Sequence, residues 1–300
     1  MIENYNFLVV GTVSNVGSSL EREIKRINKI LKLSKDFDFY IVESDSFDNT
    51  LNILKSLKDN LKNFNYVSKG ILRDKFPNRI DRIRYCRNSY VEYIRMNYPI
   101  QNWDYILVMD LDGACRNISR KSIESCFKTS ISWDACFANQ LFGYYDLYAL
   151  REQNWMPDDC FAILEKQKSG LDSKSLSKRN WLSRFFMYDR IRYQVLYSKM
   201  RRIPVTHNWI KVDSAFGGAA IYKANLFTVA DYTSKKNSIT NVCEHVDLHT
   251  IAAKLGFSEL YINPRFINLY FNDHILNQIK LIRFVRELKK FFTSGGGGGI

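Results

Sequence analysis

The sequence predicts an α/β chain with a mainly parallel central sheet flanked by helices, on three observations. Apolar runs of strand length alternate with helix-period segments through the first half, the pattern of βαβ units. Short polar loops follow those runs, where the ligand crevice of such a sheet lies. A last segment sets apolar and basic residues at helical spacing, which adds a basic amphipathic C-terminal helix.

Phe7 to Val13 is apolar enough for a buried strand, and Ser18 or Ser19 can cap the helix that follows, where Leu20, Ile24, Ile27 and Leu31 share a face. Asp38 to Glu43 reads as the second strand. It opens into Ser44-Asp45-Ser46-Phe47-Asp48-Asn49-Thr50, a loop of short polar acceptors, before a helix carrying Leu51, Leu54, Leu57 and Leu61. Arg79 to Asn97 is helical with Ile80, Ile83, Val91 and Ile94 inward. Its arginines, Arg79, Arg82, Arg84 and Arg87, read as a solvated basic face, or in the case of Arg87 as an anion contact, because a planar guanidinium suits phosphate oxygens. The apolar run Tyr105 to Met109 then stops at Asp110-Leu111-Asp112.

Beyond Asp134 to Asn139 the pattern loosens into a long polar stretch ending near Pro204. Order resumes at Val212 to Tyr222, where Gly217 and Gly218 permit close backbone approach to a ligand or form a tight turn. Cys243 to His249 opens a helix that sets Glu244 and Asp247 three apart and His245 and His249 four apart. Ile275 to Phe292 is the basic amphipathic helix, able to lie on an anionic membrane or to pack on the domain. Gly295 to Gly299 is a low-complexity terminus expected to be disordered.

With 46% hydrophobic and 14% aromatic content in 300 residues, the chain can bury a full core without staples. The six cysteines contain no C-x-x-C pair and no signal peptide precedes them, so reduced thiols and a cytoplasmic location are expected. No apolar run reaches the length of about 18 residues that a membrane-spanning helix needs. The net charge of +13 favours anionic partners. It is concentrated: between Glu165 and Arg202 eleven Lys or Arg face Glu165, Asp172 and Asp189.

Asp110 and Asp112 carry the chemistry. Two carboxylates flanking one residue at a strand end suit a hard divalent cation, Mn²⁺ or Mg²⁺, that takes its remaining oxygens from a diphosphate and neutralises it as it leaves. A nucleotide-sugar donor is the ligand class that fits.

The order of motifs resembles the GT-A glycosyltransferases, and within them the fungal capsule-associated α-1,3-mannosyltransferases and the procollagen glycosyltransferases. The resemblance rests on Cys86-Arg87-Asn88, the strand ending Met109-Asp110-Leu111-Asp112, Tyr145-Asp146 with Arg151, Ser214-Ala215-Phe216-Gly217-Gly218 and Cys243-Glu244-His245, and spans roughly residues 7 to 272. It implies a GT-A (Rossmann-like) sheet and a donor site of Thr12, Glu43, Asp45, Arg87, Asp110, Gly217 and Gly218. It further implies metal ligation by Asp110, Asp112 and His274, with His249 as the rival histidine. Glu244 and Asp247 stand where such enzymes keep an acidic residue facing the acceptor, the general base of an inverting reaction. The implied partners are a UDP- or GDP-sugar and a glycan or lipid-linked acceptor, in surface polysaccharide synthesis at the inner face of the cytoplasmic membrane.

Other chemistries fit less of the sequence. Val246 stands where a zinc protease needs Glu after the first His. Asp110-Leu111-Asp112-Gly113 matches the nucleophile loop of haloacid-dehalogenase phosphatases, but no Gly-Asp-x-x-x-Asp loop follows. A nucleic-acid module could stack bases on Trp181, Phe185, Phe186, Tyr188, Tyr193 and Tyr197 yet leaves the carboxylate pair unexplained, so no nucleic-acid partner is expected. The chain thus divides into a donor half (1–140), an acceptor half of the same domain (141–274), the basic helix (275–293) and the Gly tail (294–300).

Overall fold

The computed structural model describes residues 2–170, 181–233 and 242–293; the Gly tail lies outside them. One eight-stranded sheet is built in the order β3-β2-β1-β4-β7-β5-β8-β6. Its strands are β1 (Asn6–Val13), β2 (Asp36–Glu43), β3 (Phe64–Ser68), β4 (Tyr105–Met109), β5 (Ala135–Gln140), β6 (Ile210–Lys211), β7 (Ala219–Lys223) and β8 (Leu260–Leu269). β1 pairs in parallel with β2 and β4, β2 with β3, and β5 with β8, whereas β7 runs antiparallel between β4 and β5, and β6 lies antiparallel on β8. The mainly parallel sheet is as expected. Residues 1–140 and 141–274 share this one sheet, because β7 sits between β4 and β5.

Alternation along the strands divides the core. Leu8, Val10, Ile106 and Val108 face one side, with Tyr90, Val91 and Ile94 of α3 (Arg79–Gln101). Phe7, Val9, Leu107 and Met109 face the other, with Leu20, Ile24, Ile27 and Leu31 of α1 (Leu20–Leu31) and Leu54 and Leu57 of α2 (Thr50–Asn60). Period-2 strands between period-3.6 stripes bury both faces.

Ser19 precedes α1 but makes no side-chain cap; its hydroxyl donates instead to Leu111 O at 2.9 Å. After the short α4 (Arg120–Glu124), the stretch read as polar and irregular contains α5 (Cys160–Ser169) and α6 (Trp181–Val195). Beyond β7 come α7 (Leu226–Val229), α8 (Glu244–Lys254) and, after a 3-10 turn at Asp273–Gln278, α9 (Lys280–Thr293). The tail helix packs on α6: Arg283 Nη2 donates to Asp189 Oδ2 at 2.9 Å, and Phe284 meets Phe185 and Phe186 with centroids 5.4 and 6.2 Å apart. Those aromatics, with Tyr193 and Tyr197 beside the Arg283 guanidinium, are engaged within the chain. All six cysteines are free and buried. Among the described residues no helix is long and apolar enough to cross a membrane.

Candidate active site

Where β4 ends, the Asp110 N–H donates to Gly218 O at 2.9 Å, so the first carboxylate of the pair is fixed to the start of β7. Above this edge opens a cavity of ≈ 830 Å³, walled by the carboxyl ends of β1, β2 and β4, by α3 and by the start of α8. Thr12, Asp45, Arg87, Asp110, Asp112, Gly218, Glu244 and His274 all line it.

Arg87 organises the floor. Its Nε donates to Glu244 Oε1 at 3.1 Å, Nη2 to Asp110 Oδ1 at 3.4 Å and Nη1 to Tyr90 Oη at 3.3 Å; the Tyr90 hydroxyl in turn donates to Tyr232 Oη at 2.7 Å. Burial works against the Arg87 charge, but Tyr90, Glu244, Tyr232 and Asp110 outweigh it and hold its pKa well above the usual value. Asp110 is in the opposite position. Burial pushes its carboxyl up to about 7, against the pull of Arg87 and with further pushes from Asp112, Asp146 and Glu244. Asp110 and Glu244 share the one Arg87 guanidinium, and Asp112 and Asp146 lie near enough to push the Asp110 pKa up, an excess of negative charge that a divalent cation would relieve.

Asp112 is exposed, with Oδ1 accepting the Ala114 N–H at 3.2 Å. The loop that carries it is gripped from beneath. Glu23 of α1, 2% exposed, accepts the N–H of Gly113 at 3.1 Å and of Cys115 at 2.9 Å. Asn268 Nδ2 donates to Ala114 O at 3.0 Å and to Gly217 O at 2.8 Å, joining this loop to the glycine turn. Asp146 Oδ2 accepts the Gly217 N–H at 2.9 Å, and burial raises its pKa while the N–H groups of Gly217 and Ala149 hold it down.

Asp110, Asp112 and His274 share the cleft, but among the described residues no three His, Cys, Asp or Glu side chains stand close enough to cage an ion. His274 is exposed and stacks on Tyr145 at 5.6 Å and 17°. Hard carboxylate oxygens at the cleft edge fit Mn²⁺ or Mg²⁺ that draws its other oxygens from a bound diphosphate and water; they do not make a closed site.

Several expected contacts are placed elsewhere. Glu43, 1% exposed, accepts the Ser46 N–H at 3.0 Å and the Ser68 hydroxyl, so both oxygens hold the β2 loop and none faces the cleft. Asp45 reaches the cleft wall, but Oδ1 accepts the N–H groups of Leu72 and Arg73 at 2.9 and 3.1 Å. Asp247 points to α3, where it meets Arg84 Nη2 at 2.6 Å. Gly217 (φ +71°) turns toward Ala138 O and the Gln140 side chain, which a Cβ would meet at 2.8 Å; Gly218 (φ +90°) is the glycine on the cleft. His249 lies in the core, its nitrogens bound to Ser214 Oγ at 2.8 Å and Tyr222 Oη at 3.0 Å, which removes it as a metal ligand. The arginines of α3 are not one solvated face: Arg84 and Arg87 are 7% and 4% exposed.

Glu23, Asp146 and Asn268 were not among the expected site residues. Glu23 did leave a signal, since it sits three after Leu20 and four before Ile27, inside the apolar stripe of α1.

No protein-family model and no curated protein sequence matches the chain. Solved structures similar to it include mannosyltransferase PcManGT from Pyrobaculum calidifontis in complex with GDP-Man and Mn²⁺, at TM-score 0.47 and 11% identity over 99% of this chain and 66% of that one. Glucosyl-3-phosphoglycerate synthase from Mycobacterium tuberculosis in complex with uridine diphosphate aligns at TM-score 0.43 and 11% identity over 89% and 73%. S. aureus TarS 1-349 aligns at 0.42 and 12% over 86% and 57%. The chain thus spans just under two thirds of the first and less of the third.

Proposed function

We propose that this chain is a metal-dependent glycosyltransferase that moves a hexose from a UDP- or GDP-sugar to a glycan or lipid-linked acceptor in surface polysaccharide synthesis. The observation that carries the reading is the convergence of Asp110 and Asp112 with Arg87 and Glu244 in one cleft over the carboxyl ends of the parallel strands, the crevice where α/β sheets bind ligands.

Asp110 and Asp112 would hold Mn²⁺ or Mg²⁺, whose chemistry is charge neutralisation on the departing diphosphate. Thr12 and Gly218 border the donor at the strand ends, and Arg79, exposed at the start of α3 and lining the cleft, offers a fork for phosphate oxygens. Arg87 fixes the orientation of Glu244 relative to Asp110. In an inverting transfer the acceptor oxygen forms its bond to the anomeric carbon as the bond to the diphosphate oxygen breaks, and Glu244 takes the acceptor's proton. The membrane-face location draws its support from α9, where Leu281 and Val285 are 69% and 42% exposed beside exposed Lys280 and Lys289, a mixed basic and apolar surface suited to anionic lipid.

Incubation with UDP- and GDP-hexoses and Mn²⁺ tests the activity through release of nucleoside diphosphate. Metal-dependent release from one donor is expected; release that chelation does not affect would contradict the metal assignment.

A further inference from the structure

Among the described residues, His245 alone has two buried side-chain polar atoms without a hydrogen-bond partner, Nδ1 and Nε2. The ring is 2% exposed and lines the cleft with Glu244 and Phe216. It is held as a flat plate, stacked on Phe216 at 3.9 Å and 21° and met edge-on by Tyr232 at 5.6 Å and 77°. One turn along the same helix the contrast is plain, because His249 is equally buried and has both nitrogens paired. Glu244 Oε1 lies 3.8 Å from His245 Nε2, beyond hydrogen-bond reach, and that oxygen already receives Arg87 Nε. Burial, with Arg87 and His249 adding to it, keeps the imidazole neutral, so it offers one N–H donor and one lone pair. A buried donor and acceptor both left unmade are costly, and packing alone would be served as well by Phe.

We infer that His245 is a hydroxyl-binding residue of this cleft, its Nε2–H donating to a sugar hydroxyl whose own proton is donated to Glu244. This rests on the nucleotide-sugar reading of the site. The hydroxyl belongs either to the donor's hexose or to the acceptor, and the 3.8 Å between Glu244 Oε1 and His245 Nε2 is a span that one hydroxyl oxygen bridges with a hydrogen bond to each. The paired roles differ: Arg87 orients the carboxylate, while His245 selects what the carboxylate meets.

The test uses His245→Phe, which keeps the plate and removes both nitrogens, and His245→Gln, which keeps a donor and an acceptor. Affinities for UDP and GDP and for UDP-glucose and GDP-mannose are measured with Mn²⁺, together with hydrolysis of the sugar nucleotide. A donor hydroxyl predicts that His245→Phe binds the free diphosphate like wild type but loses about tenfold or more of the preference for its sugar conjugate. An acceptor hydroxyl predicts an unchanged preference with turnover down by a similar factor. In either case His245→Gln retains more than His245→Phe. Wild-type preference and turnover in His245→Phe overturn the proposal, as does equal loss of free-diphosphate affinity in both variants, the mark of a packing role. If the wild type binds none of these nucleotides, the reading of the cleft fails first and takes the proposal with it.

Discussion

The Glu23 carboxylate accepts the backbone N–H of Cys115 at 2.9 Å across 92 residues of sequence. Its other oxygen takes the N–H of Gly113, so one buried side chain on α1 holds the loop that presents Asp112. Glu23→Ala strands both N–H groups at a cost of about 2–4 kcal/mol, and Glu23→Gln costs less because one acceptor oxygen survives. Urea unfolding checks this, and Mn²⁺ affinity should fall in both variants; equal stability of Glu23→Ala and wild type would show that the loop needs no such grip.

Asp110 gives the fold a pH signature. Its folded-state pKa is raised, by burial first, from 3.8 to about 7, so its contribution to stability is fully present below pH 3.8 and is lost as pH rises through about 7. Asp110→Asn cannot ionise. In metal-free buffer the variant should therefore gain stability relative to wild type between pH 5 and pH 8, read as the difference in urea midpoints. A difference that stays constant with pH contradicts the raised pKa of Asp110.

Two glycines separate strain from crowding. Gly217 combines φ +71° with Ala138 O and Gln140 Nε2 at 2.8 Å from a Cβ, whereas Gly113 has φ +100° and open space. Gly217→Ala should cost about 2–4 kcal/mol and Gly113→Ala about 1–2 kcal/mol. Calorimetric melting of the two variants gives the order, and a larger loss at Gly113 would reverse the assignment.

Glu244 and Asp247 share a helix but not a role. Glu244→Gln should lower transfer about 10²- to 10⁴-fold, beyond a stability cost of about 1–3 kcal/mol from removing one charge partner of the buried Arg87. Asp247→Asn breaks the pair with Arg84 at 2.6 Å and should cost about 1–3 kcal/mol of stability with turnover preserved. Measuring both quantities on both variants decides it; loss of turnover in Asp247→Asn would return that residue to the catalytic set.

Much of this was legible because the sequence signals are local. The strand from Tyr105 to Met109 and the helix at Leu20 follow from side-chain period, and the carboxylates of Asp110 and Asp112 from their place at a strand end. The fates of Glu43, Asp247, Gly217 and His249 were not legible, because each depends on a partner brought by the sheet order: Ser68 from β3, Arg84 from α3, Ala138 from β5, and Ser214 and Tyr222 around α8. A carboxylate near a motif looks the same in sequence whether it faces a ligand or an arginine. Insertion of β7 between β4 and β5, which sets Gly218 beside Asp110, likewise has no short-range signal, since antiparallel pairing across more than a hundred residues is decided by packing.

The most direct test is a thermal-shift measurement of the wild type and Asp112→Ala against UDP, GDP and CDP, each with and without Mn²⁺, since a ligand of the native state raises its melting temperature. The account predicts that one nucleotide stabilises the wild type only with Mn²⁺, and that Asp112→Ala melts like wild type alone but no longer responds. Stabilisation unchanged by Asp112→Ala, or no response to any of the three with stabilisation by a phosphate-mimicking anion and Mg²⁺ instead, would contradict it.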